Sequence, residues 1–534
     1  MRQIHRDAWL LAIISGVLQI LAFPLANVYP LSWAAVAPLL VAVLRAREPE
    51  DIHLPASLAQ KLVPATPAQG FLLGYMSGII WYAGTCYWVY HTMHQYGGLS
   101  AAAAFGILVL FCLYLGLYEG LFGLVVAVLA GDRQGGPRRA LFLSPFVWVA
   151  LELARTRITG FPWDLLGTAQ VSNISLTRLA TITGVYGVSF EIMLVNTVFA
   201  AAFLVGREKR KVILIEAVVV AAALQLLALI RPAPLHTDHT ALLVQENIPI
   251  LPSEKWTAQY FQSTLEDLSR LSTPPPGGSG APRPDLVVWP ESPAPFFVND
   301  PRFRNVIAAV AEKERAYVVA GSLGEEAGAR PPESGQIYNS AALMSPQGQW
   351  VARYDKIHLV PFGEYVPFKS VFGFAGGLTQ EVGQFGRGSS REPVAVDGYK
   401  LGVFICYEAV FPGEVRQFAR NGGQVFVNIS NDGWYGDTGA WAQHLDQARM
   451  RAVENDRWLL RDTNTGMTAS IDPYGRVVAS VPRKVRTTLE APYALTSGTT
   501  FYTRHGDWFA WLCAIISLGA LLWRYRVPSR MVSS

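Results

Sequence analysis

A succession of apolar segments fills the first 230 residues and restricts the possible folds of this chain more than any other feature. Membrane spans are expected at 8–24, 27–44, 70–92, 100–130, 140–156, 184–206 and 211–230, with an isolated eighth at 507–523. Most are close to the ~20 residues a helix needs to cross a bilayer. In lipid the backbone polar groups must be paired within the segment, so these spans are helices. Charged residues make up 16% of the chain, against about 25% in ordinary soluble domains, and the mean hydropathy is +0.25. A membrane part joined to a water-soluble part is therefore expected. The first segment follows Arg2 and Arg6 like a secretory signal. No small-residue cleavage site follows it and further spans come at once, so it reads as an uncleaved helix.

The basic residues set an orientation. Arg2 and Arg6 precede the first span, and Arg45, Arg47 and Lys61 follow the second. Arg133, Arg138 and Arg139 follow the fourth, Arg207, Lys209, Arg210 and Lys211 lie between the sixth and seventh, and Arg524, Arg526 and Arg530 follow the eighth. The loops after spans one and three carry no lysine or arginine, whereas the connection from span five to six departs from the alternation with Arg155, Arg157 and Arg178. Basic loops stay cytoplasmic. Both termini are then inside and residues 231–506 outside, which in a bacterium is the periplasmic or extracytoplasmic face. The expected division is a seven-span domain over 1–230, an extracytoplasmic domain over 231–506, and an eighth helix with a cytoplasmic tail over 507–534. A net charge of +4 is too small to argue for a nucleic-acid partner.

From about residue 240 short apolar runs alternate with helical stretches. Ala241–Val244, Asp285–Trp289, Ala316–Ala320, Asn339–Met344, Val351–Tyr354 and Leu401–Ile405 read as strands. So do Gln424–Asn428, Trp458–Arg461, Met467–Ile471 and Arg476–Ser480, while Trp256–Leu271, 302–314 and 440–455 read as helices. This alternation predicts an α/β layered domain. Neither GxGxxG nor GxxxxGK[ST] occurs.

Of the four cysteines, Cys86, Cys112 and Cys513 lie in apolar runs, which leaves no disulfide framework and no metal-ligand spacing. Cys406 instead closes the run Leu401-Gly-Val-Phe-Ile and is followed by Tyr407, Glu408 and then Phe411-Pro-Gly. At the C-terminal end of a buried strand a cysteine lies at a sheet edge that a ligand can reach, although free cysteines are commonly inert buried hydrophobes. Two further strand ends carry reactive groups: Glu291, after Val287-Val-Trp-Pro290, and Lys356, within Arg353-Tyr-Asp-Lys-Ile-His-Leu359. A thiol needs activation. A nearby lysine lowers its pKa and can stabilise an oxyanion, and a carboxylate can act as general base. Each of these residues alone is more often structural.

With their flanks they are specific. Trp289-Pro-Glu-Ser292, the run Tyr354–Pro367 and Ile405-Cys-Tyr-Glu408 resemble the nitrilase superfamily. In combination they are similar to its membrane-bound branch, the apolipoprotein N-acyltransferases, as are Asn428-Ile-Ser-Asn-Asp-Gly-Trp434, the run Gln443–Ala452 and Gly160-Phe-Pro-Trp163. Asp432-Gly-Trp-Tyr435 departs from the Asp-Ala-Trp-Phe of some members. The resemblance implies a multi-pass α-helical membrane domain of eight spans plus an α/β nitrilase-like αββα sandwich. It implies Glu291 as general base, Lys356 as oxyanion stabiliser and Cys406 as nucleophile, supported by Glu364, Tyr407 and Glu408 and, through their flanks, by Trp256 and Asn339. It implies no cofactor and no metal. The acyl donor is then a phospholipid, the acceptor a diacylated apolipoprotein, the intermediate a Cys406 thioester, and the enzyme a monomer in the bacterial inner membrane.

His444 and His358 suggest a Cys–His dyad instead, a reading that the complete Glu–Lys–Cys set displaces. Phe362, Tyr365, Phe368, Phe372 and Phe374, with Gly363, Gly373, Gly376 and Gly377, form either a packed loop or a mobile arm that gates acyl-chain entry. Gly160-Phe-Pro-Trp163 is either an interfacial turn with an aromatic anchor or a loop that holds a lipid chain. The competing functions are a membrane-anchored nitrilase-type amidase, which would use the same triad, and a non-catalytic lipid-binding scaffold.

Overall fold

The computed structural model describes residues 3–48, 62–131, 135–205, 207–230, 232–251, 255–273, 283–291, 294–325, 336–361, 363–365 and 385–526. Phe362, Phe368, Phe372, Phe374, Gly373, Gly376 and Gly377 lie outside the described residues, and with them the proposed aromatic arm. Two compact units form: Met1–Tyr90, Ala102–Arg231 and His505–Ser534 make one, His91–Ala101 and Pro232–Arg504 the other.

The first unit is helical. Its apolar segments are found as helices, but two corrections apply. The segment 27–44 is not one helix: a 3₁₀ turn over Tyr29–Trp33 is followed by a helix over Ala37–Leu44. Asn196 explains the break, because its Oδ1 accepts the Val36 and Ala37 N–H groups at 2.8 and 2.9 Å and so caps the new helix from a neighbouring one. The segment 70–92 also divides. Pro67–Thr85 ends at Cys86 and a separate helix runs Trp88–Gln95, where His91, Thr92 and His94 end the apolar pattern. Among the described residues three helices are both long and apolar enough to cross a membrane: Ala101–Ala130, Val185–Leu204 and Glu208–Leu229. Arg6–Ala22 has 17 residues, and the interrupted segment Tyr29–Leu44 and helix Trp508–Arg524 are shorter apolar stretches.

Pro67–Thr85 and Ala101–Ala130 meet backbone to backbone. Gly70, Gly74 and Gly78 recur every four residues and share one helix face. A Cβ added at Gly70 would lie 2.4 Å from the Gly123 carbonyl oxygen, and one at Gly74 2.1 Å from that of Glu119. Such small-residue faces let helices approach closely in lipid, where no hydrophobic effect draws them together.

The second unit is an αββα sandwich. Its strands are β1 (His239–Gln245), β2 (Leu286–Trp289), β3 (Tyr317–Glu325), β4 (Ile337–Met344), β5 (Trp350–Asp355), β6 (Val394–Val396), β7 (Tyr399–Ile405), β8 (Val425–Ser430), β9 (Leu459–Thr463), β10 (Ala469–Ile471), β11 (Val477–Ser480) and β12 (Thr487–Tyr493). They form two six-stranded sheets in the orders β12-β1-β2-β3-β4-β5 and β11-β10-β9-β8-β7-β6. Each sheet has three parallel strands, β1-β2-β3 or β7-β8-β9, flanked by antiparallel ones. Strand alternation divides the core. Ala241 and Leu243 of β1 face the other sheet, packing with Val403 and Val427, whereas Leu242 and Val244 face Phe261, Leu265 and Ile307 on helices Ala258–Ser272 and Pro301–Glu314. Phe404 of the second sheet stacks on Phe418 of helix Pro412–Arg420 at 6.3 Å between ring centroids, and helix Ala440–Asn455 buries Ala448 and Ala452 in the same cluster. β6 and β12 were not expected from the sequence. β12 contains Pro492, which speaks against a strand interior, but it pairs only along the sheet edge with β1, as His239 opposite Tyr493 shows.

Candidate active site

The parallel strands of both sheets deliver polar groups at their C-terminal ends. β2 ends at Trp289 and presents Glu291; β7 ends at Ile405 and presents Cys406; β8 ends at Ser430 and is followed by Asn431 and Asp432. Lys356 follows β5, whose antiparallel neighbour β4 contributes Asn339. The Lys356 N–H donates to the Asn339 carbonyl at 2.9 Å and thereby fixes the lysine's position.

These groups converge. Lys356 Nζ donates to Glu291 Oε1 and Glu364 Oε1, both at 3.0 Å. Asn339 Nδ2 bridges the same two oxygens at 2.8 and 2.7 Å. Glu291 Oε2 accepts the Asn431 N–H at 2.8 Å, and the Cys406 thiol also donates to this carboxylate. Glu364 Oε2 accepts the Val360 N–H at 2.7 Å. Lys356 is 1% exposed, Cys406 5% and Glu291 6%. The structure thus brings Glu291, Lys356, Cys406, Glu364 and Asn339 together.

Charge and burial divide their roles. Burial favours a neutral Glu291, but the Lys356 charge and hydrogen bonds from Asn339, Lys356 and Cys406 outweigh it and hold the carboxyl below its ordinary range. Burial disfavours a charged Lys356, yet Glu291, Glu364 and Cys406 hold it well above the usual lysine value. The thiol goes the other way. Burial and the Glu291 charge push Cys406 up, against the opposing pull of Lys356. Lys356 lowers the thiol, the direction expected from sequence, but burial and Glu291 outweigh it. A carboxyl held low thus stands beside a thiol held high, an arrangement in which the carboxylate can accept the thiol proton.

Cys406 itself has φ +50°, in the left-handed region where a residue with a side chain is strained by roughly 1–3 kcal/mol. Glu408 supports the turn. Its Oε2 accepts the Ile405 N–H at 2.7 Å, and its Oε1 accepts those of Ile357 and His358 at 2.7 and 3.1 Å. One buried carboxylate thus ties the cysteine turn to the loop that carries Lys356. Tyr407 is buried with its ring edge on Phe411. Trp256 stands apart from these groups, packed on Tyr260 and Phe296 on the helical side of the first sheet. His358 stacks on Phe411 at 4.1 Å and faces Glu414 rather than the thiol.

Residues 15–198 match the family model for the apolipoprotein N-acyltransferase N-terminal domain, and residues 249–499 the model for carbon-nitrogen hydrolases. The apolipoprotein N-acyltransferase of Geobacter metallireducens is 36% identical over 96% of this chain and 94% of its own length. The chain belongs to the apolipoprotein N-acyltransferase family. That of Methylococcus capsulatus is 32% identical over 95% of this chain and 94% of its own. Among solved structures, a carbon-nitrogen hydrolase from Helicobacter pylori is 19% identical, covering 48% of this chain and 88% of that one with a TM-score of 0.34. Nit3 of Saccharomyces cerevisiae, a nitrilase-superfamily member, is 20% identical, covering 51% of this chain and 94% of its own with a TM-score of 0.35. The protein is an acyltransferase whose second unit is a carbon-nitrogen hydrolase domain.

A further buried network lies beside Cys406 and was not recognised from sequence as part of the site. Asp432 accepts Arg461 Nη2 at 2.9 Å and Ser430 Oγ at 2.9 Å, and lies 3.0 Å from His444 Nδ1. Asp432 is held well below its ordinary range, the Arg461 and His444 contacts overcoming burial. His444 Nε2 donates to the Cys406 carbonyl at 3.0 Å, so the ring meets the backbone of Cys406. A signal was present: Arg461 and Asp462 interrupt an apolar strand, and a charge in a buried strand needs a partner.

Proposed function

We propose that the protein completes lipoprotein maturation by a ping-pong transfer at Cys406, with a phospholipid as acyl donor and the α-amino group of a diacylglyceryl-cysteine as acceptor. Cys406 Sγ attacks the ester carbonyl while its proton passes to Glu291. Lys356 and the Tyr407 N–H hold the oxyanion. The C–O bond then breaks, Glu291 returns the proton to the leaving oxygen, and a lysophospholipid departs. In the second half the amine attacks the thioester, Glu291 takes an amine proton, the C–S bond breaks and the sulfur is reprotonated from Glu291. The sequence ester to thioester to amide ends in the most stable acyl bond, so no ATP is consumed. The observation that carries this reading is the convergence of Cys406, Glu291 and Lys356 in a member of this acyltransferase family.

The wider reading is a monomer with eight spans, domains over 1–230, 231–506 and 507–534, both termini cytoplasmic and the catalytic domain extracytoplasmic in a bacterial inner membrane. The basic loops support it.

Intact mass spectrometry of the purified chain after incubation with phospholipid alone tests the chemistry. The expected result is an acyl adduct on the native chain, absent from Cys406→Ala and cleared by a diacylglyceryl peptide that becomes triacylated. Clearance by water as fast as by peptide would favour a hydrolase, and a folded native chain that never forms the adduct would overturn the proposal.

A further inference from the structure

The groups around Cys406 fall into two sets. Glu291 and Lys356 act on the thiol, which also has a side-chain hydrogen bond with Ser430 and feels the Asp432 charge. The second set, centred on His444 with Asp432, Arg461 and Ser430, is fully buried and also meets the Cys406 backbone, with His444 Nε2 3.0 Å from the carbonyl oxygen. The histidine is held from its other side. Nδ1 lies 3.0 Å from Asp432 Oδ1 and 3.1 Å from Arg461 Nη2, and the Tyr435 ring stands edge-on to the imidazole at 5.8 Å. Asp432 is itself fixed by Arg461 and Ser430. The ring therefore has one orientation available.

A peptide unit is planar, and its C=O and the next N–H point to opposite sides. Holding the Cys406 carbonyl therefore sets the direction of the Tyr407 N–H. Cys406 has φ +50°, so this plane does not occupy a conformation the backbone would choose unaided.

We infer that His444 is a positioning residue: by gripping the Cys406 carbonyl it aims the Tyr407 N–H at the oxyanion that forms when Cys406 attacks an acyl group. This rests on the reading of Cys406 as nucleophile. His444 exchanges no proton with the substrate. Its part is to keep one donor fixed before charge develops, which is where such donors gain their effect.

The test separates attack at a carbonyl from attack elsewhere. Iodoacetamide is displaced at a saturated carbon, forms no oxyanion, and reports thiol reactivity alone. The full-length chain in detergent is compared as native, Cys406→Ala, His444→Gln and His444→Asn, with folding checked by thermal unfolding. The glutamine amide reaches the Nε2 position and keeps a donor there, whereas the shorter asparagine amide does not. In His444→Asn, Cys406 acylation by phospholipid should fall about 100-fold, as for loss of an oxyanion donor, while alkylation stays within threefold of native. His444→Gln should recover most of the acylation. Acylation within threefold of native in His444→Asn would overturn the inference. So would a parallel fall in alkylation and acylation, which would reduce the histidine to a support for the thiol. If the asparagine chain does not fold, His444→Leu takes its place under the same criteria. An acyl adduct that persists in Cys406→Ala would instead remove the underlying reading of the nucleophile, a pattern distinct from every histidine result.

Discussion

Two glutamates, one lysine and one asparagine share a few ångströms at the centre of this site, and their different settings decide the chemistry. Asn339 donates to both glutamates, yet its bond to Glu291 is the one that matters for pH, because it helps hold that carboxyl low. With Glu291 as the proposed general base, acylation needs it ionised, so activity is present above its pKa and lost as pH falls through it. Removing the Asn339 donor should raise that pKa. A hydrogen bond to a charged group contributes about 1.5–3 kcal/mol, or about one to two pH units. Asn339→Leu should therefore move the acidic limb of the acylation rate upward by about one to two units, and an unmoved limb would show that the other partners of Glu291 set it. Glu291→Gln should lower acylation by about 10²–10⁴ at every pH, measured as the single-turnover rate of adduct formation. The residues of this first layer were legible in the sequence because each sits in a short run beside a strand end. The His444–Asp432–Arg461 layer was not, because His444 lies inside helix Ala440–Asn455 and Arg461 inside β9 rather than at a strand end.

Elements were legible in kind, less so in extent. Helix Ala440–Asn455 begins and ends where its apolar spacing predicts, and β7 runs straight into the cysteine as the sequence suggests. The breaks at Val36 and Cys86 were missed because hydropathy averages over a window, while a cap such as Asn196 acts at one peptide group from far along the chain. The glycine stripe of Pro67–Thr85 gives a sharp test of helix packing. Leucine at Gly74 would place its Cβ 2.1 Å from the Glu119 carbonyl oxygen, against backbone that cannot move aside locally. The two helices would have to separate, with overpacking costs of about 1–3 kcal/mol or more. Gly106 lies on the same long helix with nothing within 4 Å of its added Cβ. Gly74→Leu should lower the thermal midpoint in detergent by several degrees, and Gly106→Leu should leave it unchanged. Equal effects would mean that glycine flexibility, not close approach, is what the helix needs.

At the scale of the whole molecule the question is why acyl transfer is built into a chain with this much apolar helix. A lipid chain gains about 0.8 kcal/mol for each CH₂ kept out of water. If the donor had to leave the bilayer to reach Cys406, every added CH₂ would raise the barrier by that amount, a factor of about four. Six added CH₂ groups would then slow acylation by on the order of a thousandfold. If the membrane unit instead lets the ester reach the thiol while its chain stays in apolar surroundings, chain length drops out of the barrier. The proposal therefore predicts that, in vesicles at fixed donor mole fraction, donors differing by six CH₂ groups in the transferred chain acylate Cys406 at rates within about threefold of one another. The comparison is made by single-turnover mass spectrometry, so lysophospholipid release and the acceptor step do not enter. A steep fall with chain length would mean that the chain crosses water on its way to the cysteine, and the apolar helices would then serve as an anchor for an enzyme working on extracted lipid.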